Sequence, residues 1–409
     1  MFSAPQSSQP KSLIQLRQTL APQTWHLSTA SFSWQDSQIT VCSKCIEPEF
    51  FGWQRSDITV KRLQRQYCVM GVDLGDLVDG EEITYADLND RVLAVDAMNV
   101  LYQFLSIIRQ RDGTPLKDSD GNITSHLSGL FYRTTKLLDS NIRPVYVFDG
   151  EMPDLKATEA AQRREKREKA QKEWEELKQE GEVDEAFSKA MQSSRVTGDM
   201  IDESRELLDA MGVPYVDAPS EGEAQAARMA ANGSVYAVGS QDWDSLLFGA
   251  ERMVKNLTSR KKRSNPDGSS RTISTELIRL EQVLDNLGLS RRELVWMGML
   301  VGTDFNPDGI YGIGPKTALK IARRNQSLEQ VLSEDKVEWE SENDPYRIED
   351  FFMNPPTGNA DFSFGSVNAD LVEETMIETH GFSENRIRSG LDRLSNALEA
   401  RQKGIGSFT

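Results

Sequence analysis

The sequence predicts an α/β fold in which a mostly parallel central sheet is flanked by helices. Three apolar runs lead to this prediction, at residues 91–96, 143–149 and 234–244, and each ends in acidic residues. Short apolar runs of this kind are typical of strands that are buried on both faces of a parallel sheet. Helix-forming stretches separate the runs, which is the strand–helix–strand order of such sheets.

The acidic residues at the ends of the runs predict a metal site. The first two runs end at Asp96 and Asp149, and the third ends with Asp242 and Asp244. In open parallel sheets, ligands bind beyond the carboxyl ends of the strands, so we expect these carboxylates to converge. Convergent carboxylates bind hard cations such as Mg²⁺, whose usual substrates are phosphate esters. The pattern therefore predicts a metal-dependent enzyme that acts on phosphates.

The segment 157–180 follows the second run and predicts a long exposed helix. It is rich in charge, and it spaces opposite charges four residues apart, as in Glu159 and Arg163. The pattern alone leaves two interpretations open. The helix is either a solvated, salt-bridged element, or a lid over the carboxylates that carries cations such as Lys156, Arg163 and Arg167.

Three further segments are candidates for the same site. Ser220 followed by Glu221 and Glu223 predicts a helix that begins at Ser220, with both acids in its first turn. Glycines before Pro315 predict a helix whose first backbone N–H groups can hold a phosphate oxygen. The basic cluster 260–263 is a further candidate for phosphate contact. A Walker pattern is absent from the sequence, which excludes nucleotide binding by a P-loop.

The composition narrows the class of protein. The chain has 409 residues, a formal net charge of −17, three histidines and three cysteines. So few histidines and cysteines argue against zinc or nucleophilic catalysis based on them. No apolar stretch reaches the roughly 18 residues of a membrane span, and the N-terminus lacks a signal pattern, so we expect a cytoplasmic protein that is associated with the nucleoid. The acidic excess predicts function in concentrated salt, as in a halophile.

Residues 1–69 differ from the rest of the chain in charge, cysteine content and hydrophobic pattern. They are net basic, contain all the cysteines and lack clear amphipathic periodicity. Cys42 and Cys45 form half of a zinc motif without a second half, so we do not expect a metal there. We predict that residues 1–69 are an atypical extension and that the native protein begins at Met70. The rest divides into one domain, residues 70–400, and a tail, residues 401–409.

Six motifs in the domain resemble those of the flap endonucleases of the structure-specific 5′-nuclease family, in its archaeal branch. In order, they are Val95-Asp96, Phe148-Asp149-Gly150, residues 218–224, Asp242-Trp243-Asp244, Gly302-Thr303-Asp304 and residues 312–316. The resemblance implies a PIN-like 5′-nuclease core with a helical arch and a helical DNA-binding motif. It further implies an N-region at 70–170, an arch at about 153–200 and an I-region at about 200–335.

The resemblance also implies roles for individual residues. Seven carboxylates would hold two Mg²⁺ ions, for which Mn²⁺ can substitute: Asp96, Asp149, Glu221, Glu223, Asp242, Asp244 and Asp304. Lys156 and Arg163 would be the catalytic basic residues at the foot of the arch. The residues that would bind DNA are Tyr102, on which a substrate base stacks, Arg109, Arg133, Gly302, Gly312, Gly314 and Lys316. The motif at 312–316 could also hold K⁺.

The activity that the resemblance implies is that of a 5′ flap endonuclease with 5′–3′ exonuclease activity. Such an enzyme hydrolyses phosphodiesters of branched DNA by a two-metal mechanism during replication, where it matures Okazaki fragments, and during repair. Two alternatives remain open. One is a related 5′ exonuclease or junction nuclease, and the other is a noncatalytic DNA-structure binder that a sliding clamp recruits.

The last eight residues resemble a peptide that binds the sliding clamp, PCNA. Gln402, Ile405 and Phe408 follow one another at intervals of three, which suits a 3₁₀ turn that places Ile405 and Phe408 side by side. The position of the second aromatic residue is taken by Thr409. We therefore expect PCNA as a partner through the tail, together with 5′-flap DNA, and we expect no membrane contact.

Overall fold

The computed structural model describes residues 74–406, except residues 76, 111, 181–188, 259–261 and 265–269. Several sequence predictions therefore lie outside the described residues. They concern the extension 1–69, its Cys42–Cys45 motif, the start at Met70, the first half of the basic cluster 260–263, and Phe408.

The centre of the fold is a seven-stranded sheet in the order β1-β9-β6-β5-β2-β3-β4, and β7 and β8 form a separate hairpin. The strands are β1 (Glu81–Ile83), β2 (Val92–Asp96), β3 (Arg143–Phe148), β4 (Tyr215–Asp217), β5 (Ala237–Gly239), β6 (Arg252–Lys255), β7 (Lys262–Ser264), β8 (Ser270–Thr272) and β9 (Thr275–Arg279). Strands β2 to β6 pair in parallel, and β9 is antiparallel to both β6 and β1. The predicted mostly parallel sheet is confirmed.

Helices cover both faces of this sheet. They are α1 (Ala97–Ile107), α2 (Ser125–Asp139), α3 (Ala157–Glu180), α4 (Gly198–Ala210), α5 (Gly222–Ala231), α6 (Asp244–Leu247), α7 (Leu280–Leu287), α8 (Arg291–Val301), α9 (Pro315–Arg324), α10 (Leu328–Leu332), α11 (Pro345–Met353), α12 (Ala369–Glu373) and α13 (Glu384–Gly406). Among the described residues, no helix has the length and apolar character that crossing a bilayer requires.

Two apolar clusters fill the space between the sheet and its helices. Strand β2 contributes Ala94 to one cluster and Leu93 and Val95 to the other, because successive side chains of a strand point to opposite faces. Strand β3 does the same with Val145 and Tyr146, and all five side chains are at most 1% exposed. The central strands are thus buried on both faces, and polar groups at their carboxyl ends are the ones that can reach a ligand.

The third apolar run forms a shorter strand than its length suggests. Strand β5 covers only Ala237–Gly239, and the chain then turns into α6, which begins at Asp244. The turn is closed by two bonds, since the Asp242 N–H donates to Ser240 Oγ and the Asp244 N–H donates to Asp242 Oδ1. These polar residues end the strand and keep Asp242 and Asp244 at its carboxyl end.

Candidate metal centre

The seven predicted carboxylates converge at the carboxyl ends of β2, β3 and β5. Six of them line one cavity of about 840 Å³, together with Lys156 and Arg163: Asp96, Asp149, Glu221, Glu223, Asp242 and Asp304. The seventh, Asp244, joins them through a cluster with Glu223 and Asp242, in which the ligand atoms all lie within 4.8 Å of one another. The structure therefore brings together the four acids that the strand ends predict and the three others that the resemblance adds.

The backbone fixes the first two acids at the ends of their strands. Asp96 is the last residue of β2 and caps α1, because its Oδ1 accepts the N–H of Asn99 at 2.9 Å. Asp149 directly follows β3, and its Oδ1 accepts the N–H of Gly222 at 2.7 Å. A Cβ at residue 222 would lie 2.8 Å from the same oxygen, so this close approach requires glycine.

Glu221 and Glu223 come from the start of α5. The helix begins at Gly222 with Glu221 as its N-cap, two residues after the start at Ser220 that the sequence predicts. The Ser220 hydroxyl donates instead to the carbonyl of Glu151. Glu221 makes no capping bond either, because its Oε2 accepts a bond of 2.5 Å from Lys156 Nζ.

The side chain of Glu223 points at β5 and α6. It accepts bonds from the hydroxyls of Ser240 and Ser245, at 2.9 and 3.2 Å. Burial and the neighbouring Asp242 carboxylate raise the pKa of Glu223 well above its usual value. Burial and the Asp244 carboxylate have the same effect on the pKa of Asp242. These acids repel one another and are held together by the fold.

Asp96 shows the same crowding on the β2 side of the cavity. Burial and the Asp149 carboxylate raise the pKa of Asp96 to about 7. A set of buried carboxylates that raise one another's pKa values is stabilised by an added cation. Carboxylate oxygens are the donors that Mg²⁺ and similar divalent ions prefer, so the residues fit divalent metal ions.

Asp304 comes to the centre from a loop more than 50 residues after the other acids in the sequence. It follows α8, and Gly302 and Thr303 lie between them. Gly302 has a φ of 121°, and a Cβ there would lie 2.8 Å from the Pro307 carbonyl oxygen, so both its conformation and its surroundings favour glycine. Asp304 Oδ2 lies 3.0 Å from Lys156 Nζ, and Asp304 Oδ1 lies 2.8 Å from a guanidinium nitrogen of Arg163. Burial would raise the pKa of Asp304, but these two cations hold it below its usual value.

The first turns of α3 lie over the carboxylates. Lys156 ends the 3₁₀ turn that precedes α3, and Arg163 pairs with both Asp304 and Glu159. Of the two interpretations of this segment, the geometry matches the lid that carries cations. Burial would lower the pKa of Lys156, but Asp304 and Glu221 raise it well above its usual value, so the lysine is charged here.

The predicted DNA-binding residues lie in several places. Tyr102 lines the cavity, and the guanidinium of Arg167 on α3 stands 5.7 Å from the centre of its ring. Gly314 is the N-cap of α9 and Pro315 is its first residue, as the sequence predicts, with Gly312 and an exposed Lys316 on either side.

The described residues that line the cavity do not include Arg109 or Arg133. The Arg109 guanidinium donates to the carbonyls of Leu105 and Gly113 and to the hydroxyl of Ser194, and burial lowers its pKa to about 10. Arg133 is partly buried on α2. These positions give no support to a DNA contact, which stays a prediction for both residues.

Some residues of the site were not identified from the sequence. Glu159 is buried in the cavity wall beside Arg163, and burial raises its pKa to about 7. Ser240 and Ser245 fix the orientation of Glu223. The only signal for the serines is their position on either side of Asp242 and Asp244, and the only signal for Glu159 is its spacing from Arg163.

The predicted clamp peptide begins within a helix. Helix α13 continues to Gly406, so the backbone of Gln402 and Ile405 is α-helical here and not the 3₁₀ turn that the spacing suggests. The run Leu398 to Lys403 consists mostly of good helix formers, which explains the continuation. Phe408 lies outside the described residues, so clamp binding stays a prediction.

Comparison with known proteins agrees with this geometry. The sequence matches the XPG N-terminal domain over residues 78–170 and the XPG I-region over residues 212–304. The first match contains Asp96 and Asp149, and the second contains the other five acids. The fold and the acidic centre therefore define a nuclease of the XPG class.

Individual proteins with high similarity narrow the class further. Flap endonuclease 1 of Pyrococcus furiosus is 48% identical over 333 residues, which cover 81% of this chain and 96% of that protein. The structure of flap endonuclease-1 from Methanococcus jannaschii aligns with a TM-score of 0.64 and 38% identity, and covers 81% of this chain and 100% of that one. The catalytic core of Rad2 in complex with DNA substrate aligns with a TM-score of 0.60 and 25% identity over 79% and 99% of the two chains. This chain belongs to the flap endonuclease 1 family, which confirms the resemblance.

Proposed function

We propose that this chain is a structure-specific 5′ flap endonuclease that cuts branched DNA in replication and repair, and that it also removes nucleotides as a 5′–3′ exonuclease. The observation that carries the proposal is the convergence of seven carboxylates beneath the basic foot of α3. The names of the relatives support it, and so does the DNA substrate bound by the Rad2 core. We assign this activity to residues 70–400.

The carboxylates would hold two Mg²⁺ ions, for which Mn²⁺ can substitute. Glu223, Asp242 and Asp244 form the tightest group, and Asp96, Asp149, Glu221 and Asp304 complete the set around the cavity. The chemistry that such ions supply when bound is the activation of water and the stabilisation of the leaving oxygen of a phosphodiester.

The side chains of the arch foot would act on the substrate itself. Lys156 and Arg163 place two positive charges among the carboxylates, where they would neutralise the scissile phosphate and hold it in the cavity. Tyr102 would stack on a base next to that phosphate. Together, these residues orient one phosphodiester and need no sequence-specific contact, which fits an enzyme that selects the shape of a junction.

The duplex part of the substrate would bind elsewhere on the surface. The segment from Gly312 to Lys316 opens α9 with a helix N-terminus, where first-turn N–H groups have no acceptor within the helix, and with an exposed lysine, so it suits a phosphate of the duplex backbone, with K⁺ as a second ligand. We further propose that the tail 401–409 binds PCNA, that the acidic surface adapts the enzyme to concentrated salt, and that it works in the cytoplasm at the nucleoid.

Cleavage of a double-flap DNA labelled at its 5′ end tests this proposal. We expect the full chain to cut near the flap junction in Mg²⁺ and to stop cutting in EDTA, across a KCl series that reaches molar levels. Asp242→Asn should lose cleavage and keep DNA binding, whereas the exposed control Asp361→Asn should behave as the unaltered chain does. Binding without cleavage by the unaltered chain at every salt concentration would favour the noncatalytic binder instead.

A further inference from the structure

Asn343 connects the two segments that carry the central ion pair of the cavity. It lies between α10 and α11, and its side-chain Nδ2 donates to the carbonyl of Leu155 and to the carbonyl of Phe305, both at 2.7 Å. Leu155 directly precedes Lys156, and Phe305 directly follows Asp304. One amide group therefore binds the backbone next to the cation and the backbone next to the acid.

The chemistry of its partners fixes the orientation of this amide. Both partners are carbonyl oxygens, which only accept hydrogen bonds, so the NH₂ group must face them. Leu155 and Phe305 are buried, at 5% and 2% exposed. A buried carbonyl that loses its donor is destabilised, and the backbone around it then shifts to find another.

Asn343 is itself held in place. Its backbone carbonyl accepts a bond from the indole N–H of Trp339 at 2.8 Å. Its backbone N–H donates to Ser341 Oγ at 3.2 Å. Helix α11, which begins two residues later, packs Phe351 and Phe352 on the ring of Phe305, with centroid distances of 4.9 and 5.2 Å. Asn343 is thus anchored by its own backbone bonds and by the helix that follows it.

The bonds of Asn343 and the ion pair close a ring of contacts. Lys156 Nζ lies 3.0 Å from Asp304 Oδ2 and 5.6 Å from the centre of the Phe305 ring, on the cavity side. Asn343 joins the same two segments through their backbone. We propose that Asn343 is a positioning residue, which fixes the distance between the arch foot and the loop after α8, and so holds Lys156 and Asp304 in register for cleavage.

This inference rests on the proposed function, and cleavage by the unaltered chain is the check on that function. Asn343→Ala removes both donors, and Asn343→Asp keeps the shape but presents oxygens to the two carbonyls. We expect single-turnover cleavage of double-flap DNA to slow about 10- to 100-fold in both, as is usual when a partner of an active-site group is lost. The Kd for the DNA, measured in EDTA, should stay unchanged. Asn354→Ala is the matched control, since that exposed amide binds only Asp350 on its own helix among the described contacts.

A double-mutant cycle separates positioning from a general structural role. If Asn343 acts through Lys156, then Asn343→Ala should slow cleavage far less in a Lys156→Met background than in the unaltered chain. Hydrogen exchange of metal-free protein should rise at residues 155–157 and 304–306. The same fold-loss in both backgrounds, or cleavage at the unaltered rate, would overturn the proposal. Should Asn343→Ala fail to fold, Asn343→Ser carries the same comparison.

Discussion

Lys156 Nζ lies 3.0 Å from Asp304 Oδ2, and this ion pair joins the 3₁₀ turn before α3 to the loop that follows α8. It links the two matched regions of the chain, since Lys156 belongs to the XPG N-terminal domain and Asp304 is the last residue of the I-region. A shift of either segment therefore changes the electrostatics of the whole carboxylate cluster.

The charge of Lys156 should matter more for reaction than for binding. Lys156→Met keeps most of the side-chain volume and removes the positive charge beside Asp304 and Glu221. We expect single-turnover cleavage of double-flap DNA to fall about 10²- to 10³-fold, as for other groups that stabilise charge in a transition state. The control is Lys166→Met, an exposed residue of α3. An equal effect of the two substitutions would contradict the role of Lys156.

Metal ions should stabilise the folded chain through the carboxylate cluster. At a Mg²⁺ concentration of 100 times Kd, mass action adds about 2.7 kcal/mol to the free energy of unfolding. Thermal unfolding with and without Mg²⁺ measures this gain as an increase in Tm, which Asp242→Asn should reduce. In EDTA the variant should melt above the unaltered chain, because it lacks one of the repelling buried carboxylates. Retention of the full Mg²⁺ effect in Asp242→Asn would argue against the site.

The segment before α9 should contribute to DNA affinity without affecting the reaction. Lys316 is exposed in the first turn of that helix. We expect Lys316→Ala to weaken binding of flap DNA equally for all duplex sequences and to lower the slope of log K against log salt by about 1. Fluorescence anisotropy over a KCl series measures both quantities. If Lys336→Ala, at an exposed site between α10 and α11, changes the slope as much, the assignment to α9 fails.

A hydrogen-bonded carboxylate outside the active site should make stability depend on acid pH. The hydrogen bond from His380, followed by bonds from Asn122 and Asp120, lowers the pKa of Asp118 from 3.8 to about 2. Because its pKa is lower in the folded state, Asp118 stabilises the fold above pH 4, and this contribution is lost as the pH falls from about 4 to 2. The Tm of the unaltered chain should therefore fall more steeply over that window than the Tm of Asp118→Asn. Parallel pH profiles would show that the bond contributes nothing.

The sequence predicts the strands that carry the site better than it predicts the edges of the sheet. The runs at 91–96 and 143–149 match β2 and β3 almost residue for residue, because short apolar runs rich in valine and aromatic residues favour buried strands over helices. Strands β1, β6 and β9 were not predicted. They are short and partly exposed, and they are positioned by pairing with one another across distant parts of the chain.

The same limit applies to individual side chains. Four of the acids, Asp96, Asp149, Asp242 and Asp244, could be found because the carboxyl ends of parallel strands meet at one edge of a sheet. Asp304 was assigned only through the family resemblance. The long-range partners of Arg109 and Asn343 could not be predicted. Tertiary packing alone brings Ser194 to Arg109, and it alone brings Leu155 and Phe305 to Asn343. The start of α5 was predicted two residues too early, and the bond of Glu221 to Lys156 is another contact that local sequence does not encode.

The most direct test of the central claim is to locate Mn²⁺ by anomalous diffraction in crystals of the full chain. The strand-end carboxylates should bind it, so we expect anomalous peaks within the cavity, one of them bounded by Glu223, Asp242 and Asp244. Peaks only at surface acids, or no peak in the cavity at saturating Mn²⁺, would contradict the metal centre and the mechanism that depends on it.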